Sequence, residues 1–244
     1  MRLIIIGSKG YIGSNLLTHF ANGYDTYGIG RFDKWPEFTS KDTIINCAAS
    51  GWAPGRDNVW EAVVDNVLLV KRIMDVRNGA NLIQFCSGFE SARPTHPYSR
   101  TKGIASDLLR GSAHLVYLYT VFGGHSQQMW RFIPSLLDAC ATGKPYTITT
   151  PYTSRDFVHI RHLFNLVERL ITHRNYGETQ LGTGNARRLI DVYSILVGSV
   201  GKSFPNVSVN IDDKTAFDYR ADNPAVDDTF PEDLKREWEQ VKNA

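Results

Sequence analysis

The chain has 244 residues, enough to bury a sizeable core as one large domain or a main domain with a small annex. Its 27 Lys and Arg against 25 Asp and Glu leave a formal net charge of +2, too small a surplus to make nucleic acid or a membrane surface the principal partner. Apolar runs are strand-length, short of the roughly 20 residues that cross a bilayer. The three widely spaced cysteines, Cys47, Cys86 and Cys140, fit free thiols in a reducing compartment. Residues 3–6 run straight into a glycine turn without a signal-peptide cleavage pattern, so a cytoplasmic protein is expected.

In chain order, RLIII predicts a strand, YIGSNLLTHF a helix, YDTYGIG and DTIINCAA strands, and NVWEAVVDNVLLVKRIMDVR a long helix. NLIQFCS then predicts a strand, YSRTKGIASDLLR a helix and HLVYLYTVF a strand. Continuous apolar strands alternating with helices predict a parallel sheet covered on both faces. This is a doubly wound α/β fold, whose ligands sit beyond the carboxyl ends of the strands. After about residue 124 the pattern loosens, with a helix in HLFNLVERLITHR and a tail carrying Pro205, Pro224 and Pro231. The tail segment DDTFPEDLKREWEQVKNA reads as a solvated helical lid with Leu234 and Trp238 turned inward.

Gly7, Gly10 and Gly13 form G-x-x-G-x-x-G between the first strand and helix. Missing Cβ atoms permit a tight turn and close approach of a pyrophosphate, and the N–H groups at the helix start favour an anion. A dinucleotide site is the reading preferred over a turn that binds nothing. The expected domains are therefore a dinucleotide-binding domain over 1–124 and a small substrate-binding lobe over 125–244, with about 155–185 returning to the first. An acid about 20 positions on would read the ribose 2′-hydroxyl of NAD. The second strand instead ends YGIGRFD, with Arg31 at that place and Asp33 two residues later. Lys9 and Arg31 together would meet a 2′-phosphate, which puts NADP(H) ahead of NAD(H). In the alternative both cations are solvated and Asp33 reads the ribose.

Tyr98 and Lys102, four apart in a helix and so on one face, follow a strand that ends in Ser87. A free phenol titrates near about 10, and a neighbouring ammonium favours its ionised form. Tyrosine, lysine and a strand-end serine therefore suit hydride chemistry at a carbinol or ketone. The alternative is a half-buried aromatic beside an exposed lysine. Trp52, Trp60 and Trp130 are candidates for a substrate mouth, with core packing an equal prospect for Trp60. His159 and His162 are three apart, but no Cys, Asp or Glu completes a metal set, and no metal is expected.

These segments, with IIIGSKGYIGSNL, DTIINCAAS, DNVLLVKRIM, FCSG, YSRTK, SRDFVHI and LGTGNARRLIDVYSIL in that order, resemble the extended short-chain dehydrogenase/reductase superfamily. Its members are NAD(P)-dependent enzymes of nucleotide-sugar chemistry with a Rossmann fold. The resemblance implies Ser87, Tyr98 and Lys102 as the catalytic trio. It implies a cofactor loop of Gly7, Lys9, Gly10, Tyr11, Ile12 and Gly13, with Ala48 and Ala49 along the cofactor, and Arg155 on the substrate diphosphate. It also implies a homodimer packed through the long helix and the Tyr98 helix.

The sequence departs from the family's pattern at several places. Gly88 and Phe89 follow Ser87 where dehydratases carry an acidic pair, which argues against dehydration. Tyr119 and Thr120 replace arginine and asparagine, and Arg161 and His162 replace two acids. The expectation is an NADPH-dependent reductase of a 4-keto nucleotide sugar. A 4-epimerase with tightly held NAD and a catalytically silent NAD(P)-binding sensor are the alternatives.

Overall fold

A computed structural model describes residues 1–50, 58–93, 95–213 and 215–243. Trp52 and Pro94 lie outside the described residues. The chain divides into two compact units, Met1–Leu118 with Phe164–Thr179, and Tyr119–Leu163 with Gln180–Ala244.

The first unit opens with β1 (Arg2–Ile6), α1 (Tyr11–Phe20), β2 (Asp25–Ile29) and β3 (Thr43–Asn46). The predicted long helix follows as three joined pieces: α2 (Val59–Ala62), a π-helical turn (Val63–Leu68) and α3 (Leu69–Val76). Next come β4 (Asn81–Ser87), the short α4 (Phe89–Ala92), α5 (Pro97–Leu109) and β5 (His114–Leu118). The predicted strand HLVYLYTVF breaks at Tyr119, and its remainder, β6 (Thr120–Phe122), pairs with a different sheet. The chain continues through α6 (Phe132–Thr142), β7 (Tyr146–Ile148), β8 (Ser154–His159), α7 (Ile160–Thr172) and β9 (Gly177–Leu181). It ends with β10 (Ala186–Arg188), α8 (Leu189–Val200), β11 (Val207–Val209) and α9 (Phe230–Val241).

The main sheet has the order β2-β1-β3-β4-β5-β9, and the pairs among β1 to β5 are parallel. Leu3, Ile4, Ile5, Ile44, Ile45, Leu82 and Ile83 are fully buried, because helices cover both faces of a parallel sheet and leave no polar side to alternate with. Register decides where function can sit. Ile6 is level with Ile29 and Asn46, and Ser87 with Leu118. The residues immediately after β1, β2 and β3, together with Ser87, therefore emerge at the same carboxyl edge.

The second unit holds the sheet β10-β8-β6 and the pair β11-β7 around a core containing Phe122, Phe157, Phe230, Leu234 and Trp238. Asp156, fully buried in β8, accepts the N–H groups of Thr183, Gly184 and Ala221 at 2.9–3.1 Å and the Thr183 hydroxyl at 2.7 Å. The motif segments SRDFVHI and LGTGN are thus structural partners: the carboxylate of one satisfies the turn of the other. Helix α9 is not the solvated lid expected. Leu234 and Trp238 point inward, and so do Asp233 and Glu237. Asp233 receives Arg161 at 2.7 Å and Glu237 sits 2.9 Å from His159 Nε2, while His162 Nε2 lies 2.9 Å from the Thr229 hydroxyl. Arg161 and His162, the departures from the family's acidic pair, therefore hold a helix whose own acids face inward.

Replacing Asp156 with Ala leaves several buried donors unpaired, and is expected to lower unfolding free energy by about 3 kcal/mol, measured by denaturant titration. Asp156→Asn, which keeps one acceptor, should lose less.

Candidate cofactor and catalytic site

The glycine turn is built by exclusion of Cβ atoms. Gly7 has a φ of +82°, and a Cβ there would lie 2.7 Å from the Ala48 nitrogen. A Cβ on Gly13 would lie 2.2 Å from the Gly7 carbonyl oxygen, whereas one on Gly10 would come no nearer than 3.3 Å to it. Gly7 and Gly13 thus weld turn, helix and the post-β3 segment together, and Gly10 presents bare backbone. The N–H groups of Gly7 and Ser8 donate to the Ile29 carbonyl at 2.8 and 3.2 Å, fixing the turn to the end of β2. Gly10 caps α1 without a side-chain hydrogen bond, so no N-cap side chain covers the first turn at Tyr11, Ile12 and Gly13, a helix start of the kind that suits an anion. The Tyr11 ring itself is buried.

Beside this turn lies a cavity of about 760 Å³ whose wall includes Gly7, Lys9, Gly10, Arg31, Ala48 and Ala49, a size suited to a small-molecule ligand. Its opposite wall is one face of the α2 to α3 helix, with Glu61, Asp65, Leu68 and Arg72 at helical spacing. The bare cradle at Gly7 and Gly10, the open start of α1 and this cavity fit a dinucleotide. Trp60 is on the wall and 68% exposed, not in the core. Lys9 crosses Gly30, where a Cβ would be 3.0 Å from its Cδ and Cε, and its ammonium is 3.4 Å from Asp33. Asp33 also accepts the Gly30 N–H at 2.7 Å; that bond, then the Lys9 charge, holds its carboxyl below the usual range. Arg31 pairs with Glu61 at 3.4 Å and with Asp65, and the Arg72 guanidinium lies 4.0 Å over the Trp35 ring. Both cations expected to meet a phosphate therefore have carboxylate neighbours, which a reading of local sequence does not reveal.

At the end of β4, Ser87 is buried, its Oγ accepts the Phe89 N–H at 3.2 Å, and its own N–H donates to Glu90 Oε1 at 2.8 Å. The acid absent at positions 88 and 89 is thus present one residue further on, but it faces the serine backbone and the Ser106 hydroxyl, 2.9 Å away. Burial pushes the Glu90 carboxyl up and, followed by the Glu90 charge, raises the Cys86 thiol to about 12. Lys102, buried on α5, donates to the Phe85 carbonyl two residues before Ser87. Tyr98 stands half-buried one turn earlier on the same helix. The structure thus brings Lys102 and Ser87 onto one strand end.

One residue in this frame was not singled out from the sequence. Asn66, buried in the π-helical turn, donates to the Ser50 carbonyl at 3.0 Å and the Thr101 hydroxyl at 2.9 Å, and accepts the Ser50 N–H at 3.1 Å. It ties the segment after β3 to the helix that carries Tyr98 and Lys102. The available signal was an amide at a position the helical pattern assigns to the interior. A π turn is rare and recurs at functional sites.

Arg155 lies on β8, directly opposite Arg187 of β10; Arg187 pairs with Asp228 and lies 4.9 Å over the Phe230 ring. Among the described residues no group of three or more His, Cys, Asp or Glu is placed to hold a metal ion, and no helix is long and apolar enough to cross a membrane.

A parallel sheet with a glycine-cradled cavity at its carboxyl edge defines a dinucleotide-binding α/β protein. Residues 3–182 match the model of the NAD dependent epimerase/dehydratase family, and the chain belongs to that family, as an extended short-chain dehydrogenase/reductase enzyme. Solved structures share the fold over nearly the full length of both chains. MoeE5 in complex with UDP-glucose and NAD is 22% identical, with 100% of this chain and 99% of that one covered and a TM-score of 0.79. A variant of UDP-glucuronic acid 4-epimerase from Bacillus cereus, bound to NAD, is 17% identical, with the same coverage and a TM-score of 0.78. RMD from Pseudomonas aeruginosa complexed with NADPH is 14% identical, with 99% of each chain covered and a TM-score of 0.75.

The Cβ distances separate two glycines of one motif. Gly13→Ala should lower stability by about 3 kcal/mol through backbone overpacking, read as a fall in melting temperature. Gly10→Ala should melt close to wild type and lose dinucleotide binding instead.

Proposed function

We propose that the protein is an NADP(H)-preferring oxidoreductase that reduces a 4-keto nucleotide sugar. The observation that supports this most is that the glycine-cradled cavity and Ser87 lie at the same carboxyl edge of the main sheet, with Lys102 bonded to the strand that ends in Ser87. Gly7, Gly10 and the start of α1 would hold the pyrophosphate, with Ala48 and Ala49 along the dinucleotide and Lys9 and Arg31 at a 2′-phosphate. When bound, the nicotinamide supplies hydride to the carbonyl carbon. Tyr98 donates the proton to the oxygen, which Ser87 orients. Lys102 binds the nicotinamide ribose and favours the ionised phenol left after transfer. Arg155, on the smaller substrate-binding unit, would grip the substrate diphosphate through its planar fork.

A 4-epimerase with retained NAD is the second reading. It is favoured by the acids Asp33, Glu61 and Asp65 around the two cations, since a carboxylate suits a free ribose hydroxyl better than a phosphate. Both readings use the same trio and differ in whether reduced cofactor leaves. A cytoplasmic homodimer, associating through α2 to α3 and α5, accompanies either reading. Exposed Val59, Ile104 and Leu108 on those helices support it.

Tyr98→Phe should reduce turnover by about 10²- to 10⁴-fold while cofactor titration stays near wild type; near-normal turnover would remove Tyr98 from the mechanism. Lys9→Ala should weaken NADPH about ten-fold, roughly the loss of one charge-assisted bond, and NADH much less. Equal effects would return Lys9 to the surface.

A further inference from the structure

The acids that crowd the two cations have no part in hydride transfer. Glu61 and Asp65 are one helical turn apart and reach the same guanidinium, that of Arg31. The Arg31 side chain is 54% exposed, whereas those of Glu61 and Asp65 are 31% and 19% exposed, so the arginine is the solvent-facing member of both pairs. Charge around this end of the cavity is balanced: Lys9, Arg31 and Arg72 stand against Asp33, Glu61 and Asp65. A balanced wall offers a 2′-phosphate, which is close to dianionic at neutral pH, no net attraction until a cation changes partner.

We propose that Glu61 and Asp65 are specificity-determining residues that compete with the 2′-phosphate of NADP(H) for Arg31. This rests on reading the cavity as the dinucleotide site. Both partners of Arg31 in this competition are anions, but only the phosphate arrives with the ligand, so the helix acids set how far NADPH is preferred. NADH, which lacks the phosphate, leaves the Arg31 pairs intact and escapes the competition. Exposed ion pairs are weak and easily exchanged, which makes the barrier to NADPH a matter of affinity and not of access.

The test is equilibrium titration of the full-length protein with NADPH and with NADH, followed by nicotinamide fluorescence. The proteins compared are wild type, the double variant Glu61→Gln/Asp65→Asn, and that variant carrying Arg31→Ala, each with its melting curve. The double variant should bind NADPH about ten-fold tighter, the scale of two exposed ion pairs removed. Its NADH affinity should show no comparable gain, and Arg31→Ala should abolish the gain for NADPH. Weaker NADPH binding, an equal gain for NADH, or a gain that survives Arg31→Ala would each overturn the proposal. The underlying reading fails separately, if the folded wild-type protein binds neither nucleotide.

Discussion

The candidate site depends on one steric constraint: the backbone of the first turn lies so close to its neighbours that no side chain fits. Gly13 abuts the carbonyl of Gly7, and Gly7, in a left-handed conformation, abuts the backbone of Ala48. This contact sets the angle at which α1 leaves the sheet, aims its first amides at the cavity and fixes the floor of the segment at Ala48 and Ala49. Lys9, Gly10 and the Arg31 turn take their places relative to that floor.

A second frame holds the catalytic candidates. Asn46 donates to Gln84 at 2.8 Å and accepts the Ala48 N–H, and Gln84 donates to the same Phe85 carbonyl that receives Lys102. With Asn66 linking Ser50 to Thr101, side-chain amides join β3, β4, the π turn and α5. Buried polar groups are stabilising only when fully paired, so such a frame positions Ser87 and Lys102 more sharply than apolar packing would. The segment after β3 and the helix that carries Tyr98 and Lys102 are consequently parts of one network.

The parallel sheet and the glycine turn were legible because each rests on local rules: apolar runs mark strands buried on both faces, and glycine marks positions that exclude a Cβ. What escaped the sequence was set by distant partners. The ion pairs of Lys9 with Asp33 and of Arg31 with Asp65 join residues 24 and 34 positions apart, and nothing in YGIGRFD foretells them. The π turn falls within an ordinary helical pattern, because the geometry there accompanies the partners of Asn66 and not its own residues. HLVYLYTVF contains neither glycine nor proline, so its break at Tyr119 left no mark. Helix α9 did carry a signal: Asp233 and Glu237 stand beside Leu234 and Trp238 on the inward face, matched by Arg161 and His159.

The central claim is that this site moves hydride between a nicotinamide and a nucleotide sugar. The most direct measurement uses NADPH deuterated at the transferring position of the nicotinamide, incubated with the protein and a panel of 4-keto nucleotide sugars, with products weighed by mass spectrometry. One deuterium should be gained by a product sugar, and one NADPH oxidised, for each sugar reduced. A fully folded, NADPH-binding protein that transfers no deuterium to any of them, and interconverts no nucleotide sugar when loaded with NAD, would contradict it.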